Sequence, residues 1–130
     1  MVELIMLNGL RVLVVEDDPA IATDISDLIE RAEGQVIGPV GSLREAKQTV
    51  RTDQAIDAAV LDVNLGDGDI TPVLESLRAR KVGVVVYTGS SGLPAGVGER
   101  HPDVVVLQKP VQPGRIVGEI QRARRSANAA

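Results

Sequence analysis

The chain predicts an α/β fold, a parallel sheet of five strands with helices on both faces. Short runs rich in Val, Ile, Leu and Ala alternate five times with segments of helical period or helix-start signals, and that alternation builds a parallel sheet covered on both sides. The runs are continuous rather than alternating. Residues 58–61, Ala-Ala-Val-Leu, are apolar throughout, as in a strand buried on both faces. Each strand–helix–strand crossover is expected to be right-handed. A length of 130 residues fits one domain.

Residues 1–9 form an N-terminal extension. Its apolar stretch is short and ends in the turn signal Asn8-Gly9, so a strand, a packed arm and a disordered tail all remain open. The domain proper spans residues 10–126. Its first strand, LRVLVV over 10–15, runs into Glu16-Asp17-Asp18-Pro19. Pro19 suits the first turn of a helix, and Asp18 its N-cap. Ile21, Ile25, Leu28, Ile29 and Ala32 then repeat with helical period, and Gly34 is expected to stop that helix. A second strand covers 35–40, with Gly38, Pro39 and Gly41 at its end. Ser42 followed three residues later by Glu45 is a capping box. It opens a helix carrying Leu43, Ala46 and Val50 and running to about Thr52.

The third strand ends on Asp62, and a Gly- and Asp-rich loop follows through Asp69. Ile70, Val73, Leu74 and Leu77 mark the third helix, with Pro72 tolerable only near its start. Residues 82–87 form a β-branched fourth strand. Between 93 and 102, Pro94, Gly96, Gly98 and Pro102 oppose a regular helix, so a short or mobile one is expected. Residues 103–108 give the fifth strand, ending at Lys109-Pro110. The last helix lies near 113–126, with Ile116, Val117 and Ile120 inward. Residues 127–130 read as a frayed tail.

Composition excludes several functions. The chain is 44% hydrophobic, yet it has no Phe or Trp, and Tyr87 is its one aromatic residue. The net charge is −4, and a mildly acidic chain without aromatic platforms is a poor nucleic-acid binder. Arg122, Arg124 and Arg125 read as a solvated helix face. The absence of Cys excludes disulfides and thiolate chemistry. The N-terminus lacks the basic start of a signal peptide, and no apolar run is long enough for a bilayer. A cytoplasmic protein without a membrane anchor is the expectation.

The chemistry gathers at the C-terminal strand ends, the edge where open parallel sheets place their ligands. Strand one ends in Glu16, Asp17 and Asp18, strand three in Asp62, strand four in Thr88 and strand five in Lys109. Adjacent strands lie roughly 5 Å apart, so these groups converge. Carboxylates so close repel, and either a proton or a cation must neutralise them. Oxygen ligands without Cys or His favour a hard cation that keeps waters, which describes Mg²⁺. A Lys and a Thr hydroxyl opposite would contact phosphoryl oxygens. Asp62, central among them, is the candidate nucleophile, because an Asp carboxylate can form an acyl phosphate. Blander readings exist for each group alone. Glu16–Asp18 could cap a helix, Thr88-Gly89 could be a turn, Lys109 could be a surface cation, and His101 is a loop residue.

VLVVEDDP at 12–19, VLDVNLGDGD at 60–69, VVVYTG at 84–89 and VLQKP at 106–110 together resemble the receiver domain of two-component response regulators, the CheY-like family. The resemblance covers residues 10–126 and suggests a stand-alone receiver. It implies a CheY- and flavodoxin-like sheet in the order 2-1-3-4-5. It implies phosphorylation of Asp62, Mg²⁺ held by Asp17, by Glu16 through water, by Asp62 and by the Asn64 carbonyl, a switch hydroxyl at Thr88 and a phosphoryl-pairing Lys109 before a cis proline. The implied partners are a histidine kinase or phosphotransfer protein and a downstream protein, with the chain a monomer or weak dimer and not an enzyme on other substrates. A phosphate sink or relay is the alternative role.

Some positions depart from the family's pattern. Val106 stands where the family has its switch aromatic, Gly66 where it often has Pro, and Val111 where Phe is common. These features resemble a subgroup of stand-alone receivers with Thr-Gly after strand four. There, phosphorylation is expected to order residues 89–102 rather than flip a ring. Two other classes compete. An Asp-nucleophile phosphatase wants an acid two residues after the nucleophile, where this chain has Asn64. A flavodoxin-like cofactor binder needs a hydroxyl- or Gly-rich phosphate loop after strand one, where Glu16-Asp17-Asp18 would repel phosphate.

Overall fold

The five apolar runs pair into one parallel sheet, in a computed structural model that describes residues 6–89 and 92–128. The strands are β1 (Arg11–Val15), β2 (Gln35–Val40), β3 (Ala58–Leu61), β4 (Gly83–Thr88) and β5 (Val105–Gln108), in the order β2-β1-β3-β4-β5. Val15 pairs with Leu61, Leu61 with Val86, and Thr88 with Gln108. Glu16 and Asp62 therefore leave the sheet side by side, with Thr88 and Lys109 on the next two strands.

The pleat sends alternate residues to opposite faces. Val12, Val14, Ala58, Val60, Val85 and Tyr87 meet α1 (Pro19–Arg31) and α5 (Pro113–Asn128). Leu13, Val15, Ala59, Leu61, Val84 and Val86 meet α2 (Leu43–Thr52), α3 (Thr71–Ala79) and α4 (Val97–Arg100). Both cores are almost wholly aliphatic, as the composition requires. Among the described residues no helix is long and apolar enough to cross a membrane.

Several local expectations change. Gly34 is not the left-handed residue that ends α1; Glu33 is, at φ 64°. Gly34 instead allows close packing, since a Cβ there would lie 2.8 Å from Ile29 Cγ2 and 3.0 Å from Leu7 Cδ1. Leu7, within the expected extension, is buried, and its N–H donates to the Ala32 carbonyl at 2.7 Å. Residues 1–5 of that extension lie outside the described residues. Edge strand β2 continues through Gly38-Pro39, with its register to β1 shifting between Leu13 and Val15; an edge strand tolerates Pro because no ladder bond is lost there. α5 continues past Ser126 to Asn128, burying Ala127, so two of the four residues read as a frayed tail are helical. Residues 129 and 130 lie outside the described residues. Arg124 is not simply solvated, because its guanidinium lies 3.4 Å from Asp57.

α4 is one short turn whose buried residue is Val97. Glu75 of α3 holds its far end, 2.9 Å from Arg100 Nε and 3.3 Å from His101 Nε2. Arg78 pairs with Asp103 beside it. Within the stretch 89–102, residues 90 and 91 lie outside the described residues.

Candidate functional site

The backbone carries the acids to the sheet edge. Glu16 N–H donates to the Val40 carbonyl and Asp62 N–H to the Val15 carbonyl, each at 2.9 Å. Lys109 N–H donates to the Thr88 carbonyl at 2.8 Å. Three strand ends are thus tied to their neighbours one step beyond the regular ladder. Asp18 accepts from Ala20 N–H at 2.9 Å and Ile21 N–H at 3.3 Å, the N-cap expected of it.

The side chains converge. Lys109 Nζ reaches Glu16 Oε1 at 2.7 Å and Asp62 Oδ2 at 3.0 Å. Asp62 Oδ1 accepts from Asn64 N–H at 2.9 Å, and Asn64 Nδ2 donates to Thr88 Oγ1 at 3.2 Å. Glu16 Oε2 accepts from Asp18 N–H at 3.1 Å. Glu16, Asp62 and Thr88 are buried, whereas Asp17 is exposed. The sheet edge thus offers a sheltered carboxylate with its partners fixed and one side open to solvent at Asp17.

Electrostatics divide the two buried acids. Burial pushes the Glu16 carboxyl up, and the Asp62 charge adds to this, against the pull of Lys109 and the Asp18 N–H; the net direction is up. Burial also pushes Asp62 up, but the Asn64 N–H and the Lys109 ammonium outweigh it, so its net direction is down. Burial disfavours the Lys109 charge, yet Glu16 and Asp62 more than offset that and hold its pKa above the ordinary value. The surroundings thus favour the charged form of Asp62 and disfavour that of Glu16.

The donor set fits a hard divalent cation. One carboxylate oxygen each from Glu16, Asp17 and Asp62 lies within 4.8 Å of the others. Glu16 Oε1 is buried, with the Lys109 ammonium 2.7 Å away. A buried carboxylate oxygen is suited to a cation.

Two contacts were not legible in the sequence. Tyr87 points to the α1/α5 face, opposite Thr88, yet Lys109 Nζ stands 5.6 Å from its ring centroid, within cation–π range. Asp67, in the loop after Asp62, accepts from Leu43 N–H at 2.8 Å and Arg44 N–H at 3.1 Å, capping α2 together with Ser42. Val106 is 40% exposed and holds no position over the site.

Comparison with known proteins agrees with this fold. Residues 12–121 match the response regulator receiver domain family. The solution structure of SdrG from Sphingomonas melonis Fr1 is 37% identical, covers 92% of this chain and 99% of its own, and superposes with a TM-score of 0.73. The receiver protein from Sinorhizobium medicae WSM419 is 20% identical, with a TM-score of 0.80 over 94% of this chain and 99% of its own, a likeness of fold. The phyllosphere-induced regulator PhyR of Methylorubrum extorquens is 28% identical over 86% of this chain, which spans 42% of that relative's length. A family match over residues 12–121, nearly the whole sheet, means that this chain belongs to the response regulator receiver domain family.

Proposed function

We propose that this receiver accepts a phosphoryl group on Asp62 from a phosphohistidine of a histidine kinase or phosphotransfer protein, changes conformation and binds a downstream protein. The observation that carries this reading is the setting of Asp62: buried, one oxygen held by the Asn64 N–H and the other paired with Lys109. An Asp62 oxygen bonds to phosphorus as the phosphorus–nitrogen bond of the donor breaks, and the imidazole leaves and takes up a proton. Lys109 Nζ then pairs with a phosphoryl oxygen in place of the carboxylate oxygen. The Thr88 hydroxyl, tethered by the Asn64 amide, turns to another, and its departure signals occupancy to β4 and the segment after it. Water later cleaves the acyl phosphate.

Glu16, Asp17, Asp62 and the Asn64 backbone carbonyl would hold Mg²⁺, which when bound offsets charge on the phosphoryl oxygens. The chain is in this reading a phosphoacceptor assisting its own modification and its reversal, not an enzyme acting on other substrates, and it works in the cytoplasm. The phosphatase reading is disfavoured because Asn64 gives its amide to Thr88 and offers no acid two residues after the nucleophile.

The test is intact mass after incubation with a small phosphodonor and Mg²⁺. Wild type gains one phosphoryl group, and Asp62→Asn does not. A gain that persists in the variant, or that needs no Mg²⁺, overturns the assignment. Where wild type gains nothing, a titration with beryllium fluoride decides: shifts at Asn64, Thr88 and Lys109 retain the site as a phosphoryl acceptor, and their absence rejects it.

A further inference from the structure

The groove between α2 and α3, about 370 Å³ in volume, lies away from the acidic site. Its floor is apolar, formed by Val50, Pro72 and Val73, and Lys47, Arg51 and Arg80 line its edge with no carboxylate among them. Lys47 and Arg51 are one helical turn apart and exposed, and Arg44 precedes them on the same helix. Among the described residues, Arg11, Arg78, Arg100 and Arg124 each hold a carboxylate, while the side chains of Arg44, Lys47 and Arg51 make no ion pair. Arg80 is held rigidly, donating to the Val50 and Asp53 carbonyls at 2.7 Å each. Asp67, at the N-terminal end of this face, has both oxygens engaged by α2 amides. In a chain of net charge −4, four cations thus gather around one apolar trough, with Asp67 and Asp53 the acids that act on Lys47 and Arg80.

We propose that the α2–α3 groove docks an acidic, amphipathic segment of a partner protein. Its carboxylates meet Lys47, Arg51 and Arg80, and an apolar side chain between them covers Val50, Pro72 and Val73. Both halves of the surface are needed for this choice. A nucleic acid would use the cations but not the aliphatic floor, and no aromatic side chain is present in the groove to stack on a base. The inference is independent of the phosphoryl chemistry. Exposed cations give an association that is fast and salt-sensitive.

The probe is a short helical peptide of Glu, Leu and Ala with Glu one turn apart and Leu between, titrated into isotope-labelled protein while amide shifts are followed. Shifts are expected over residues 47–54 and 72–80, weakening with salt. Lys47→Glu with Arg51→Glu is expected to weaken binding about tenfold or more, and Lys47→Gln with Arg51→Gln by less. Both positions are exposed, and circular dichroism confirms that the variants fold. The proposal is overturned by no shifts, by shifts centred on α1 or α4, or by unchanged affinity in the charge-reversed variant. Equal binding of a single-stranded oligonucleotide, or of the peptide with Ser for Leu, overturns it as well, because the trough would then play no part.

Discussion

Lys109 stands between two buried carboxylates, Glu16 at 2.7 Å and Asp62 at 3.0 Å. Removing the ammonium leaves both acids sheltered and uncompensated, which is costlier than never having paired them. Lys109→Met is therefore expected to lose about 2 kcal/mol of stability in cation-free buffer near neutral pH, and to recover much of it on adding Mg²⁺. Urea unfolding with and without the cation checks this, and an unchanged midpoint would show that water already solvates both acids. The Lys109 pKa is raised in the folded state, so its stabilisation is complete below its ordinary value and is lost only as pH rises through the raised one. At this scale the strand-end residues were legible, because a buried apolar run that stops on Asp62 or Lys109 declares its own C-terminus. The partners of those residues were not. The Asn64 amide reaches Thr88, and Tyr87 lies within range of Lys109, through contacts between strands, and no local spacing encodes them.

α2 shows how elements depend on one another. Its capping box was plain in Ser42 and Glu45, but Asp67 supplies two of its N-terminal contacts from the loop that leaves Asp62. Those contacts hold the Asp67 carboxyl below the ordinary carboxylate range. A lowered pKa means stability present above the unfolded value and lost as pH falls through the folded one. Asp67→Ala is thus expected to lower stability at neutral pH and to speed amide exchange at Leu43 and Arg44, with the gap to wild type closing below about pH 4. Parallel melts at two pH values and exchange at those two amides test it; an equal gap at both pH values would contradict the charge-based account. α1, α2, α3 and α5 were readable because each buries a face at helical period. α4 was foreseen only as a short or mobile helix and its bounds were not readable, since a turn that buries Val97 alone has no period to read. Gly34 was misread as a helix stop because sequence cannot separate a glycine needed for its dihedrals from one needed for closeness.

Across the whole molecule the sheet is clamped unequally. At the start of β4, a Cβ on Gly83 would lie 2.6 Å from the Ala123 carbonyl carbon and the Arg124 nitrogen. The atoms it would meet are backbone, which cannot rotate aside. Gly83→Ala is expected to cost about 3 kcal/mol, measured by denaturant unfolding; a loss below about 1 kcal/mol would mean that α5 can lift away. That contact has a mechanical meaning. β4 resembles a beam built into a wall at Gly83 and tied at Thr88 by pairing with Gln108, by the Lys109 N–H and by the Asn64 amide. A push at the far end of such a beam moves what is tied there and leaves the root still, so a disturbance at Thr88 is expected at Asn64, Gln108 and Lys109 before it reaches α5.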